Sequence, residues 1–187
     1  ISDLEEKDKN PKIFKIKTKS IKKEYNNYSL FFDNQKKLFL ELRGNFFTSK
    51  LKKILKTKEI FYSDKSNMFT SFNIVKKGGY LKPHADFNFN NSIKKFRSVN
   101  LIIYFNKKWK KNYGGNLSFY DYSTNKKIKV VLAKENRCLI FLTNKFTIHG
   151  YSKIKHSFIK RISLNYYYYT KKNMSFSKEI HKTLWRY

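Results

Sequence analysis

Several things are scarce in this chain of 187 residues. A single cysteine, Cys138, excludes an internal disulfide framework and a cysteine-based zinc site. Six glycines and two prolines are too few for a fibrous or linker-rich protein. No run approaches the ~18 apolar residues of a membrane-spanning helix, and no secretory signal is read at the start. Acidic residues number 13 against 42 basic ones, giving a formal charge of +29. Only five of the basic residues are Arg (43, 97, 137, 161 and 186), so Lys is the default cation. The lysines are spread along the chain together with abundant Asn, Ile, Phe and Tyr, a composition that A/T-rich codons produce unaided. Nucleic acid is therefore not expected as the main partner, although the field favours an anionic cosubstrate or partner.

What the chain does contain is apolar and aromatic. Hydrophobic residues make up 40% and aromatics 18%. That is enough to build a core in one domain without staples. Residues 12–17 alternate and permit an edge strand. Residues 34–43 and 48–58 read as helices, the second with Leu51, Ile54 and Leu55 on one face and Thr48 or Ser49 as its cap. After about Phe69, short aromatic and β-branched runs follow one another between turn signals: 72–76, 79–84, 98–105, 116–121, 127–132, 137–143, 146–151 and 160–169. The expected class is α+β, mainly β: a double-sheet jelly roll with supporting N-terminal helices. Residues 1–70 form the helical support region, 71–170 the core, and 171–187 a tail read as a short helix with Ile180, Leu184 and Trp185 on its apolar stripe.

Only four histidines occur: 84, 149, 156 and 181. Residues i and i+2 of an extended segment point the same way, so His84 and Asp86 can grip one ion. His149 ends a later strand. Two imidazoles and one carboxylate make a facial triad that leaves open positions on Fe(II). A lone His in a strand is more often a hydrogen-bonded structural residue. The third element is Arg161, which opens the β run 164–169. Arg suits bidentate recognition of a carboxylate. Alternation places Arg161, Ser163 and Asn165 on one face. His156 and His181 read as solvent-facing, Cys138 as a buried small hydrophobe, the Tyr166–Tyr169 run as strand packing with alternate members open to a cavity, and Trp109 as core or entrance.

These segments resemble the iron(II)/2-oxoglutarate-dependent oxygenases, in particular the prolyl-4-hydroxylase-like branch. The resemblance covers about 71–170. Gly78-Gly79-Tyr80-Leu81-Lys82-Pro83-His84-Ala85-Asp86 looks like the first metal-ligand segment. Arg97 to Trp109, with Tyr104-Phe105-Asn106, is similar to the following strand, and Tyr113-Gly114-Gly115-Asn116-Leu117 to the glycine turn. Asn136 to Phe141 leads to His149, and Arg161 to Thr170 closes the pattern. The resemblance implies a double-stranded β-helix in which His84, Asp86 and His149 bind Fe(II). It implies that Arg161, helped by Tyr104, holds the far carboxylate of 2-oxoglutarate, and that Leu117 lines that pocket with Ser163 and Asn165 as further polar partners. Val75 stands where some relatives carry a cosubstrate-binding Tyr, and Asn73 is the residue that could substitute in part. The 150–160 loop is a few residues longer than in many relatives.

The activity implied is hydroxylation of an unactivated C–H bond with O2 as second cosubstrate, ascorbate as an optional reductant, and succinate and CO2 as coproducts. An intact Asp86 argues for hydroxylation over halogenation. The first expectation for the acceptor is a prolyl residue in a peptide or protein, and the alternative is a free amino acid, sugar or other small molecule. Nucleobase repair is disfavoured because Tyr167 stands where those relatives carry a second Arg. A non-enzymatic basic binding module is the remaining rival. No membrane association is expected, and the cytoplasm is the expected compartment.

Overall fold

A computed structural model describes residues 7, 11–15, 21–63, 70–175, 177 and 179–186. Its strands in chain order are β1 (Lys12–Lys15), β2 (Ile21–Tyr25), β3 (Tyr62–Ser63), β4 (Ser71–Val75), β5 (Leu81–Ala85), β6 (Phe89–Asn90), β7 (Lys95–Tyr104), β8 (Leu117–Tyr120), β9 (Lys127–Val131), β10 (Arg137–Leu142), β11 (Ile148–Tyr151), β12 (Arg161–Thr170) and β13 (Leu184–Trp185). Two helices, α1 (Asp33–Arg43) and α2 (Asn45–Leu55), precede most of them. The larger sheet has the order β1-β2-β4-β12-β7-β10, with β3 against β12 and β6 against β7. The smaller has the order β13-β5-β11-β8-β9. The pairings are antiparallel, and the two sheets form a jelly roll that does not close into a barrel.

The layers follow from alternation along β7 and β12. Val99, Leu101, Leu164, Tyr166 and Tyr168 point to the helices, where they meet Phe39, Leu42 and Leu51 in one buried core. The Tyr168 hydroxyl donates to the Leu42 carbonyl at 2.8 Å, satisfying a phenol that burial would otherwise leave without a partner. The opposite face carries Ile102 and Tyr104, which pack with Leu117, Tyr151 and Ile154 of the smaller sheet's side in a second core. Three layers result: helices, large sheet, small sheet.

Local details depart from the sequence expectation. Helix α2 begins at Asn45 rather than 48, because Gly44 serves at once as the end of α1 and the N-cap of α2. Thr48 lies inside the helix and donates back to the Gly44 carbonyl at 3.1 Å. The N-terminal region is more than helical support, since β1 and β2 extend the large sheet through the β2–β4 pairing. Strand β2 (IKKEY) was not legible because its inner face carries Lys22 and Glu24, which line the central cavity, so the usual apolar alternation is missing. Residues 16 and 17 of the expected edge strand lie outside the described residues.

The tail helix expected over 171–187 is corrected. The described tail residues contain no helix, and Leu184–Trp185 instead add an edge strand to the small sheet through β5. Cys138 is exposed, not buried, and lies on β10 at the edge of the large sheet. His181 is buried rather than solvent-facing, whereas His156 is half-buried against Tyr113 and Phe158. Trp109 is a core residue whose indole N–H donates to Asn116 Oδ1 at 2.9 Å.

Candidate metal and cosubstrate site

Strands β5 and β11 are neighbours in the small sheet, and their register sets His84 directly opposite His149. The rings lie 4.6 Å apart between centroids. Asp86 follows β5 by one residue, so its carboxylate turns to the same side as His84. His84 Nε2 is 3.4 Å from Asp86 Oδ1, and His149 Nε2 is 3.5 Å from Oδ2. One ligand atom from each of the three residues lies within 4.8 Å of the others.

The backbone decides which nitrogen faces the centre. His84 Nδ1 is 2.9 Å from the Lys82 carbonyl, and His149 Nδ1 is 3.1 Å from the Thr147 carbonyl. A carbonyl only accepts, so each Nδ1 carries the proton and each Nε2 presents a lone pair. Burial of His149 lowers its pKa to about 4 against the pull of Asp86. Its imidazole is therefore neutral at ordinary pH. Burial alone would raise the Asp86 carboxyl, but the Arg97 guanidinium holds it well below its usual value. The result is an ionised carboxylate and a neutral imidazole facing His84 in a buried place. Lone pairs so arranged repel one another unless a cation lies between them, and N2O donors with a carboxylate suit Fe(II).

The pH consequence has a definite sign. The unfolded chain binds a proton at His149 below about 6.5, whereas the folded chain resists it until about 4. Between those values the unfolded state holds more protons, so metal-free protein loses stability as pH falls, by about 3 kcal/mol from this residue alone. Thermal melts of metal-free protein across that interval should show a progressive fall in Tm. A flat profile would show that His149 is not buried neutral.

Arg161 opens β12 on the face that carries Ser163 and Asn165, as alternation predicts. It is 4% exposed. Its Nε donates to the Gly115 carbonyl at 2.8 Å, while the terminal nitrogens lie 3.3 Å from the Tyr104 hydroxyl and 3.4 Å from Ser163 Oγ. The guanidinium also lies over the rings of Tyr151 and Tyr104. Burial raises the Tyr104 pKa against the opposing effect of Arg161, so the phenol stays a neutral donor. No carboxylate pairs with Arg161 among the described residues. A buried cation held only by neutral groups fits an anionic ligand. The Gly114-Gly115 turn makes this possible. Both residues have positive φ, and a Cβ on Gly114 would meet the Lys153 carbonyl at 2.0 Å.

One cavity of about 320 Å³ joins these parts. Asn73, His84, Asp86, Leu117, His149, Arg161 and Asn165 all line it. Tyr104 and Ser163 act on it through Arg161, and Ser163 Oγ also donates to Asn165 Oδ1 at 3.2 Å. Asn73 donates to the Ser71 carbonyl at 3.0 Å, and its own Oδ1 is buried without a partner among the described residues. Val75 faces the core beside it.

Sequence reasoning passed over Arg97 and Asn100. On β7 they share the inner face near Asp86. Arg97 and Asn100 donate to Asp86 Oδ2 at 3.0 and 2.7 Å, and Arg97 Nε donates to Asn100 Oδ1 at 3.1 Å. The Arg97 guanidinium lies 3.6 Å from the Tyr167 ring centroid. Tyr167, at the position where a second β12 Arg was considered, therefore packs on an Arg supplied by β7. Arg97 carried a signal of its own, being one of five Arg in a lysine-rich chain. Arg97→Lys should weaken metal binding by roughly 10- to 100-fold, because a point charge cannot keep both the Asp86 and the Asn100 contacts. Calorimetric titration with Fe(II) or Mn(II) checks this, and unchanged affinity would remove the orienting role.

The sequence profile of the 2OG-Fe(II) oxygenase superfamily matches residues 70–169, more than half of the chain. The chain belongs to the 2OG-Fe(II) oxygenase superfamily. No curated protein sequence matches it. Among solved structures, a prolyl-4-hydroxylase from Pseudomonas putida is similar with a TM-score of 0.64 at 13% identity, covering 90% of this chain and 83% of that one. A prolyl hydroxylase from Trichoplax adhaerens, in complex with a hypoxia inducible factor peptide fragment, is similar with a TM-score of 0.54 at 15% identity, covering 82% and 64%. HygX from Streptomyces hygroscopicus, with nickel and 2-oxoglutarate bound, is similar with a TM-score of 0.56 at 10% identity, covering 95% and 78%. At such identities the likeness establishes the jelly-roll fold. The family assignment makes this 2OG-Fe(II) oxygenase an oxidoreductase with Fe(II) and 2-oxoglutarate as its cofactors, and His84, Asp86 and His149 are a set that could hold the iron. No described helix is long and apolar enough to cross a membrane.

Proposed function

We propose that this oxygenase hydroxylates an unactivated C–H bond of a prolyl residue in a peptide or protein, consuming 2-oxoglutarate and O2 and releasing succinate and CO2. The observation that carries the reading is the shared cavity: the three-residue donor set and Arg161, which has no carboxylate partner among the described residues, face one space of about 320 Å³. Bound iron with 2-oxoglutarate supplies the oxidising power for C–H cleavage, and the protein supplies placement and shielding. His84, Asp86 and His149 would hold the ion. Arg161 and Tyr104 grip the distal carboxylate, with Ser163 and Asn165 extending the polar network and Asn73 Oδ1 available to a donor. Leu117, Ile102 and Leu81 wall the pocket with apolar surface, which strengthens the Arg–carboxylate pair by keeping water out.

The prolyl acceptor is supported by the similar structures that are prolyl hydroxylases, one of them holding a peptide fragment. Ascorbate fits as an optional reductant, and the cytoplasm remains the proposed compartment. The test is anaerobic loading with Fe(II) and 2-oxoglutarate, followed by O2 and a panel of prolyl peptides, free amino acids and sugars. Succinate release coupled to a mass gain of one oxygen atom on a prolyl peptide is the expected result. Coupled release with a small molecule alone would move the acceptor class. No coupled release with any member would overturn the prolyl reading.

A further inference from the structure

Trp185 stands in a row of aromatic rings that crosses the small sheet at the metal site. Residues directly opposite one another in antiparallel strands share a face. The register sets Trp185 of β13 opposite His84 of β5, His84 opposite His149 of β11, and His149 opposite Phe119 of β8. The ring contacts follow that order. The Trp185 ring lies 4.7 Å from the His84 ring at 31°, the two imidazoles are 4.6 Å apart, and Phe119 is 6.2 Å from His149. Phe141 meets His149 edge-on at 5.0 Å.

The two imidazoles are therefore braced from different directions. His149 has Phe119 and Phe141 beside it, and those two rings also touch each other at 5.3 Å. His84 sits one strand from the sheet's edge, and the ring on its outer side is Trp185. The bond from His84 Nδ1 to the Lys82 carbonyl fixes one ring nitrogen and leaves the tilt of the ring to its neighbours. Without an ion, the converging donors repel one another. An outward swing of His84 toward the sheet edge would relieve that repulsion, and the indole occupies that side.

Trp185 is itself fastened. The described residues after Thr170 run as a strap beside residues 83–88. The Arg186 N–H donates to the Pro83 carbonyl at 2.9 Å. Buried Asn88 donates from its side chain to the Glu179 carbonyl at 2.7 Å and accepts from the His181 N–H at 2.9 Å. Burial does not account for the tryptophan. It remains 40% exposed and belongs to neither hydrophobic core, so its removal from water contributes little to folding. What it does have is the face of His84 and a place in the wall of the metal cavity.

We propose that Trp185 is a positioning residue of the metal centre: its indole keeps the His84 ring turned toward Asp86 and His149 before an ion arrives. The inference rests on the reading of His84, Asp86 and His149 as the metal donors, and it is independent of the acceptor. A ligand set held in place beforehand loses less freedom on binding and so binds more tightly.

The test compares Trp185→Ala, Trp185→Phe and Leu184→Ala in the full chain. Leu184 is the other residue of β13 and pairs with Ala85, so its truncation perturbs the same strand without touching the ring contact. Two quantities are read: Mn(II) affinity by calorimetry, and the His84 Nδ1–H signal by NMR of metal-free protein, assigned by its loss in His84→Gln. Trp185→Ala should weaken Mn(II) binding roughly tenfold and broaden the Nδ1–H signal. Binding of 2-oxoglutarate at saturating Mn(II) should not change. Trp185→Phe, with a flat ring, should restore most of both, and Leu184→Ala should leave both as in the parent. Trp185→Leu keeps apolar bulk without a flat face, so it carries the same expectation as Trp185→Ala if the smaller residue unsettles the fold. Parent-like Mn(II) affinity or an unchanged Nδ1–H signal in Trp185→Ala would overturn the proposal. So would an equal loss in Leu184→Ala, which would assign the effect to strand pairing. A parent chain that binds no Mn(II) would instead overturn the donor assignment, and the proposal with it.

Discussion

Asp86→Ala is expected to abolish both metal binding and acceptor-coupled 2-oxoglutarate turnover, and His84→Ala should do the same. The two losses have different side effects. His84→Ala removes one imidazole from the small sheet and leaves Asp86 with its Arg97 and Asn100 donors. Asp86→Ala removes the ligand and also strips a buried guanidinium of its carboxylate. Breaking a buried pair in this way costs about 3–5 kcal/mol. Asp86→Ala should therefore melt well below His84→Ala. Asp86→Asn should recover part of that stability, because its carbonyl oxygen still accepts from Arg97, without recovering turnover. Metal titration, succinate release and thermal melts on the three variants check these statements together. Retained iron-dependent turnover in Asp86→Ala would refute the site.

Arg161→Ala should chiefly raise the 2-oxoglutarate requirement. Truncating one partner of a buried charge pair costs about 2–5 kcal/mol, which is roughly 30- to 4,000-fold in affinity. Metal affinity should stay close to that of the parent, since Arg161 makes none of the contacts of the three donors. Arg161→Lys should recover little. A lysine can supply charge, but not simultaneous contacts to the Gly115 carbonyl, Tyr104 and Ser163, which the planar fork makes from one side chain. Equilibrium binding of 2-oxoglutarate to metal-loaded protein is the direct measurement. Unchanged affinity in Arg161→Ala would refute the anchoring role.

These expectations rest on residues whose legibility differed. His84, Asp86, His149 and Arg161 could be read from the chain because their chemistry is local: a His-x-Asp pair in extended backbone, a His at a strand end, and a rare Arg at the head of an alternating strand. The glycine turn at 114–115 was visible as a motif, but its reason was not. That reason is a close pass of the Lys153 backbone and a carbonyl aimed at Arg161. Arg97 was visible as a residue and silent as a role, because nothing in the chain says that β7 passes beside Asp86. The tail was misread for a related cause. Ile180, Leu184 and Trp185 fit a helical stripe, yet a pairing edge on β5 and the Asn88 hydrogen bonds favour extended backbone. Cys138 and His181 exchanged their expected environments because burial depends on which layer covers a strand or strap.

By itself the sequence determined the face chemistry of each strand and the identity of the groups able to hold a cation and a dicarboxylate. Alternation along β12 is a property of extended backbone, and it separates Arg161, Ser163, Asn165 and Tyr167 from Leu164, Tyr166 and Tyr168 wherever the strand is placed. Tertiary structure alone decided that His84 faces His149, that Arg97 and Asn100 restrain Asp86, and that Thr183 and Trp185 border the site. Those contacts depend on which strands become neighbours. That choice is made by burial and hydrogen bonding summed over two whole sheets, so no short stretch of sequence contains it.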